Sequence, residues 1–310
     1  MSNSTTSTDQ DPDPNSAMWL GIIYAVYGAI GIPINVIVLL LTIKVKSVRA
    51  IPLNICIFSM ALADMMVLVS FLSSTIWAFS YNVAICKVMG VGVYIFVPMS
   101  MLLPGCLAVC RYAGIYNERE LDSPYLLRAL KKRKGIYILN IAFWMYGLLY
   151  TLPFVATDKF GLDAIGCCGI TEINSVFLWV YYLVNVVFFL FLAYVVSFVF
   201  YRKIGRWVKE TSSASTLLPH TRDTLKVTRN LQRMIKWMLF VPVVFYYPAL
   251  GVQAALRLSP GIVDLHAARL FMITVPLPHI IDPIITLIFV KCYRTAFFDK
   301  MYWLLSKLNA

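Results

Sequence analysis

MWLGIIYAVYGAIGIPINVIVLLLTI, residues 18–43, is an apolar run that contains no Asp, Glu, Lys or Arg. An α-helix needs about 20 such residues to cross the hydrocarbon core of a bilayer. Only helices and closed barrels satisfy every backbone polar group in that core, and continuous apolar runs are typical of helices. The run therefore predicts a helix that spans a membrane.

Six further apolar runs follow along the chain. The composition agrees with a chain made mostly of such spans, because 60% of the residues are hydrophobic, 14% are charged and the mean hydropathy is +0.76. This balance excludes an ordinary soluble enzyme, a small disulfide-stabilised secreted domain and a disordered chain. We expect an all-α membrane protein, a seven-transmembrane helix bundle with spans at 18–43, 53–79, 84–110, 135–157, 174–201, 234–258 and 266–290.

The basic residues predict the orientation of these spans. The chain has 27 Lys and Arg residues and a net charge of +12. All but Lys87, Lys159, Arg257 and Arg269 lie after spans 1, 3 and 5 or in the C-terminal tail. Cytoplasmic loops are rich in Lys and Arg, so we expect a multi-pass plasma-membrane protein with an extracellular N-terminus. The basic blocks do not form one domain face, which argues against nucleic acid as a partner.

Three parts follow from this topology. Residues 1–17 form an extracellular tail, 18–290 form the seven-span domain, and 291–310 form a cytoplasmic helix and tail. Apolar side chains recur at helical spacing in this last part, which predicts an amphipathic helix on the inner surface of the bilayer. Asn3 begins an Asn-Ser-Thr sequon, so we expect a glycoprotein that is modified at this position.

Short motifs inside the spans narrow the class of membrane protein. They are Gly31-Ile-Pro-Ile-Asn35, Leu62-Ala63-Asp64, Cys110-Arg111-Tyr112, Trp144 with Pro153, Phe245-Tyr246-Tyr247-Pro248 and Asp282-Pro283-Ile284-Ile285-Thr286. In this order and sidedness the chain resembles the rhodopsin-like (class A) G-protein-coupled receptors. The resemblance covers all seven spans and indicates a divergent receptor that is similar to invertebrate chemoreceptors.

The resemblance implies signal transduction. An extracellular ligand, either a small apolar or weakly polar molecule or a short peptide, would be signalled to a heterotrimeric G protein. Arg111 and Tyr112 would lie at the coupling end of span 3. Pro248 and Pro283 would act as hinges in spans 6 and 7, because proline interrupts helical hydrogen bonding.

The coupling end departs from the family pattern in its charges. Cys110 stands where the family has an acid before the arginine. Thr228 and Arg229 occupy the region of span 6 where the acidic partner of that arginine is expected. Loss of a restraint on one state shifts the population toward the other. We therefore expect raised basal signalling.

Asp64 and Asp282 are acids well inside spans, where a carboxylate costs about 2.5–3.5 kcal/mol on insertion scales. The resemblance implies that they meet in a polar switch cluster with Ser100 and His279, although the family most often has Asn at the place of Asp282. Two close carboxylates must share a proton or bind a cation. A sodium ion held by Asp64 and Asp282 is therefore the one cofactor that we expect. The alternative is a polar cluster that only fixes helix packing.

Cys86 begins span 3 and lies about 37 Å from Arg111 at the rise of an α-helix, which places it on the outer side. That side is oxidising. The resemblance implies a disulfide from Cys86 to the loop before span 5, which offers both Cys167 and Cys168. The choice between these two neighbours is open at this point.

The resemblance also places the ligand between the outer halves of the spans. Val93 stands where amine receptors carry Asp, and Pro276 stands where opsins carry the retinal lysine, so neither ligand class fits. The expected wall is apolar with one amide, which suits a small, weakly polar ligand. The six positions are Val93, Val97, Tyr246, Gln253, Met272 and Pro276. Three cations expected near the outer rim, Lys87, Arg257 and Arg269, leave room for an acidic ligand or a peptide terminus.

Two other functions remain open from the sequence. One is a receptor-like protein that binds without G-protein signalling, and the less favoured one is a transporter or channel. No inverted repeat or ring of charges favours transport. An enzyme is not expected, because the three His residues, at 220, 266 and 279, form no cluster with a nucleophile in the sequence.

Overall fold

The computed structural model describes residues 14–80, 82–116, 125–163, 165–171, 173, 175–213, 219–258 and 263–308. Nearly all of this chain is helical. Its helices in chain order are α1 Pro14–Lys44, α2 Lys46–Arg49, α3 Asn54–Ser80, α4 Val83–Tyr116, α5 Tyr125–Lys131, α6 Arg133–Ala156, α7 Val176–Ser213, α8 Pro219–Phe245, α9 Tyr247–Leu258, α10 Leu265–Thr274, α11 Leu277–Phe289 and α12 Lys291–Leu308. Two short antiparallel strands, β1 Phe160–Leu162 and β2 Cys168–Ile170, form a hairpin between α6 and α7.

The seven predicted spans correspond to α1, α3, α4, α6, α7, the pair α8 and α9, and the pair α10 and α11. Within the described residues, all of these except α7 are long and apolar enough to cross a membrane by length and composition. Span 5 belongs to α7, whose apolar segment Val176–Val186 is shorter in the described part. The all-α architecture predicted from the sequence is confirmed, including the short C-terminal helix α12.

The outward face of α6 is apolar rather than polar. Its exposed residues recur every three or four positions, the helical period, so they form one face. Apolar area of this kind is stable only against lipid or a partner. It fits a bundle embedded in a bilayer. The exposed side chains of this face are Ile138, Ile141, Met145, Leu148 and Leu152.

Polar side chains at the motif positions join the helices across the core. The Asn35 amide of α1 donates to the carbonyl of His279 in α11 at 3.0 Å. The Trp144 indole of α6 donates to the Ser59 hydroxyl of α3 at 2.8 Å. Because an unmade hydrogen bond is costly in a medium without water, each pair fixes one helix against another.

Spans 6 and 7 each consist of two helices in the structure, whereas the sequence predicted proline hinges at Pro248 and Pro283. Span 6 turns at Tyr246 between α8 and α9, and span 7 turns at Val275 and Pro276 between α10 and α11. Pro248 and Pro278 lie in the first turns of α9 and α11, where a missing N–H costs no helical hydrogen bond. The prolines thus restart a helix after each interruption.

Helix α12 is tied to the end of α1. The buried Tyr293 hydroxyl lies 2.7 Å from the Thr42 hydroxyl of α1. The opposite side of α12 exposes large side chains, with Tyr302 67% and Trp303 51% accessible. One buried face and one exposed aromatic face suit a helix that lies along a bilayer surface.

Candidate functional site

A cavity opens at the end of the bundle that carries the hairpin. It encloses about 810 Å³, part of which is continuous with solvent. Spans 2, 3, 4, 5, 6 and 7 and the hairpin contribute to its wall. Hydrophobic side chains predominate, and the polar groups are few. Those polar side chains are Tyr94, Tyr150, Asp163, Tyr182, Tyr246 and Gln253.

Five of the six predicted ligand positions line this cavity, namely Val93, Val97, Tyr246, Gln253 and Met272. The Gln253 amide lies 3.3 Å from the Met272 sulfur, so α9 and α10 meet at the wall. The role of these five residues in ligand binding stays a prediction.

Pro276 is the exception among the predicted positions, because the structure does not place it on the cavity wall. The span turns at Val275 and Pro276, and Pro276 becomes the residue that precedes α11. Val275 faces the cavity instead. The count from nearby motifs assumed one continuous helix, which the turn at Val275 and Pro276 interrupts.

The hairpin is held against α4 by a disulfide. Cys86 at the start of α4 is bonded to Cys168, the first residue of β2. Gly90 lies one helical turn further on, where an added Cβ would lie 3.0 Å from the backbone nitrogen of Gly169. Glycine therefore permits the close approach of helix and strand. The choice between the two neighbouring cysteines, open in the sequence, falls on Cys168.

Cys167 is a free thiol that faces the cavity. Its sulfur lies 3.9 Å from the hydroxyl of Tyr24, which donates to the carbonyl of Met272 at 3.1 Å. Burial raises the pKa of the Cys167 thiol well above its usual range. The thiol therefore stays protonated and is a poor nucleophile toward the neighbouring disulfide.

Two residues hold the hairpin over the cavity, and the sequence suggested this role for neither of them. Arg269 was expected only as a cation near the rim. Asp163 accepts from the backbone N–H groups of Ile165 and Cys167 at 3.0 and 2.8 Å. Arg269 of α10 is 3% exposed and donates to the carbonyl of Ile165 at 2.8 Å. Helical periodicity carries no information about such loop contacts. An Asp placed two and four residues before the N–H groups that it accepts is the only available signal.

Lys87 near the start of α4 is one of the three cations that were predicted to leave room for an acidic ligand. Its ammonium forms an ion pair with Asp158 at 2.8 Å, and both side chains are exposed. Exposed pairs of this kind contribute about 0–1 kcal/mol. The side chain of Arg257 lies outside the described part of the chain.

A second group of polar side chains lies deeper in the bundle. The Asp64 carboxylate accepts from the Ser100 hydroxyl, and the same oxygen lies 2.8 Å from Nδ1 of His279. Asp282 is buried on the next turn of α11. The structure thus brings together three of the four predicted switch residues by direct contact, with Asp282 beside them.

This group contains buried carboxylate oxygens that lack a hydrogen-bond partner, and such oxygens suit a cation. Oδ2 of Asp64 and Oδ1 of Asp282 are buried without a hydrogen-bond partner. Ser100, His279 and Asp282 also line a second cavity of about 390 Å³. Carboxylate and hydroxyl oxygens are suitable ligands for a hard cation such as sodium. The donor set therefore fits the expected ion.

The two cavities share part of their walls. Val97, Met101 and Tyr246 line both. Tyr246 is also the residue at which span 6 turns. A group that enters the upper cavity would therefore press on the side chains that cover the lower one.

Arg111 and Tyr112 lie at the opposite end of the bundle. The Arg111 guanidinium donates to the hydroxyl of Thr228, a buried residue of α8. Tyr112 packs on Phe200, with ring centroids 5.2 Å apart, and the ammonium of Lys203 lies 5.2 Å from the Tyr112 ring. Spans 3, 5 and 6 are therefore held together here, and on span 6 Arg111 donates to a neutral hydroxyl.

The predicted hinge prolines have different surroundings. Pro248 follows the turn at Tyr246 directly, whereas Pro283 lies within the continuous helix α11. The interruption of span 7 is at Val275 and Pro276. Both hinge roles stay predictions, and the Asn3 sequon lies outside the described residues.

Comparison with known proteins gives the class of this bundle. Residues 34–285 match the model of the seven-transmembrane receptor family of the rhodopsin type. The crystal structure of squid rhodopsin superimposes with a TM-score of 0.78 at 20% sequence identity, covering 94% of this chain and 82% of that one. No curated protein sequence matches the chain.

The chain belongs to the rhodopsin family of seven-transmembrane receptors. The resemblance inferred from the span motifs is confirmed. A member of this family is a multi-pass membrane protein and a receptor that signals through G proteins, so signal transduction is its function.

Proposed function

We propose that this receptor is a chemoreceptor of the plasma membrane that binds a small, mainly apolar molecule in the cavity under the hairpin. The observation that carries the proposal is the wall of that cavity, which is apolar apart from tyrosines, one amide and one aspartate. A concave wall that is mainly apolar and carries a few polar groups is typical of small-molecule sites. A ligand with one or two hydrogen-bonding groups would match this wall.

The orientation is part of the proposal. The disulfide end faces outward, where cysteines are oxidised, and the Arg111 end faces the cytoplasm and the G protein. The excess of Lys and Arg on the Arg111 side supports this direction.

Lys87 and Arg269, the two predicted rim cations whose side chains the structure describes, do not favour an acidic ligand. Lys87 is paired with Asp158, and Arg269 is buried against the hairpin. A ligand would have to break these contacts to use either charge. A peptide terminus is therefore the second candidate behind a neutral small molecule.

The test uses a panel of small neutral ketones, esters and alcohols, with ligand-dependent dissociation of the G protein as the readout. Val93→Trp fills the cavity wall, and we expect it to weaken the response to any active compound at least tenfold. Val88→Trp is the matched control, because Val88 is on the same helix and is 69% exposed. A response that survives Val93→Trp unchanged would place the ligand elsewhere.

We propose further that the deep polar group binds a sodium ion. Two carboxylates and one imidazole carry at most one positive charge among them, so a second cation balances the cluster. The unpartnered oxygens of Asp64 and Asp282 support this. Sodium at ten times its dissociation constant would stabilise the receptor by about 1.4 kcal/mol.

The melting temperature in sodium chloride is compared with that in choline chloride. We expect sodium to raise it for the wild type and not for Asp282→Asn. Asp158→Asn removes an exposed carboxylate outside the cluster and should keep the effect. Equal melting temperatures of the wild type in both salts would mean that a shared proton balances the cluster instead.

A further inference from the structure

Three free cysteines meet where α3, α4 and α6 pack together. The sulfurs of Cys56, Cys106 and Cys110 all lie within 4.8 Å of one another, and those of Cys56 and Cys106 are 3.6 Å apart. The three residues are 1%, 2% and 4% exposed. Neither the ligand cavity nor the deep polar group includes them.

Helix geometry explains how the thiols come together. Cys106 and Cys110 are four residues apart in α4, so both project from the same face of that helix. Cys56 lies in the first turn of α3, which packs on that face. All three therefore converge from two rigid helices, and no loop has to move to bring them together.

The spacing fits coordination to one ion. A zinc–sulfur bond is about 2.3 Å, which puts two sulfurs of a tetrahedral site about 3.8 Å apart. The observed separation of 3.6 Å between Cys56 and Cys106 is close to that value. It is far longer than a sulfur–sulfur bond of about 2.05 Å.

A polar neighbour supports anionic sulfur at this place. The buried amide of Asn140 in α6 lies 3.6 Å from the Cys56 sulfur and 4.0 Å from the Cys106 sulfur, with its nitrogen toward both. The same nitrogen donates to the carbonyl of Ile136 at 2.8 Å, which fixes the amide in this orientation. Its oxygen is buried without a hydrogen-bond partner. N–H donors toward thiolates are the typical outer contacts of a metal site.

We propose that Cys56, Cys106 and Cys110 bind one thiophilic metal ion, Zn(II) or Cu(I), through three thiolates. Hard ions such as Mg²⁺ and Ca²⁺ are excluded as occupants, because they require about six oxygen ligands. Binding releases the three thiol protons to solvent and involves no change of oxidation state. Because Cys110 directly precedes Arg111, the ion would fix the turn of α4 that carries the coupling arginine.

The test titrates the purified full-length receptor after removal of metal with a chelator, under anaerobic conditions and without a reductant, so that the Cys86–Cys168 disulfide stays intact. Zn(II) is added in one arm and Cu(I) in another, each against a competing chelator, and Co(II) serves as a spectroscopic substitute for zinc. We expect one equivalent of Zn(II) or Cu(I) in the wild type and a sulfur-to-cobalt charge-transfer band with Co(II). The arm that binds identifies the metal.

Variants locate the site. Cys106→Ala should weaken binding at least tenfold, whereas Cys292→Ala, which removes a free cysteine outside the cluster, should bind as the wild type does. Wild-type protein that binds neither ion at one equivalent, or Cys106→Ala that binds equally well, would overturn the proposal. The wild-type titration needs no variant to fold, so it decides the question by itself.

Discussion

Cys168→Ser removes most of the receptor from the cell surface, whereas Cys167→Ser leaves it there. Cys86 and Cys168 are 82 residues apart in sequence, and their bond closes that loop in the unfolded chain. Loss of a native disulfide typically costs about 2–5 kcal/mol, a large share of the stability of a domain. Cys167 is a protonated thiol beside Tyr24 and contributes only packing.

The amount of receptor at the cell surface is measured with an epitope tag at the N-terminus. The melting temperature of the purified variants is measured in parallel. Cys86→Ser should match Cys168→Ser, and the double variant should lose no more than either single one, because one bond is removed in each case. If Cys167→Ser were lost from the surface and Cys168→Ser were not, the disulfide would involve Cys167 instead.

Arg111→Ala reduces basal G-protein activation to the background of cells without receptor, and Thr228→Ala raises it several-fold. The Thr228 hydroxyl accepts from Arg111 and joins span 6 to span 3. A hydrogen bond to a charged group is worth about 1.5–3 kcal/mol, so its loss releases span 6 and shifts the population toward the active state. Arg111 itself is needed at the coupling surface, so its removal has the opposite effect.

Thr228→Glu is the complementary variant. It introduces the acid that the family pattern has opposite the arginine, and we expect basal activation to fall below that of the wild type. Ser212→Ala removes an exposed hydroxyl from α7 and serves as the control. The readout is G-protein dissociation without ligand, normalised to surface amount. Equal basal activity of Thr228→Ala and wild type would show that this hydrogen bond does not restrain the receptor.

The helices and most of the cavity wall could be predicted from the sequence. Apolar runs of membrane length specify helices almost uniquely, because hydrocarbon permits few other structures. Residues such as Val93 and Gln253 could then be placed by counting from nearby motifs, since a helix has a fixed period.

The positions that could not be predicted lie where this period fails. Pro276 does not lie on the cavity wall, where counting along a continuous helix places it, because span 7 turns just before α11. The partner of Cys86 was undecided because Cys167 and Cys168 are adjacent in the sequence, and only the folded hairpin shows that Cys168 is the one that faces α4. Asp163 and Arg269 hold the hairpin through backbone contacts that helical periodicity does not encode.

The shared wall of the two cavities has a thermodynamic consequence. If a ligand above Val97, Met101 and Tyr246 changes the affinity of the lower site for sodium by some factor, sodium must change the affinity for the ligand by the same factor. A compound that displaces the ion would therefore bind more weakly in saline than in a salt of an organic cation. The sodium dependence of a binding curve thus reports, without any signalling assay, whether a ligand reaches the floor of its site.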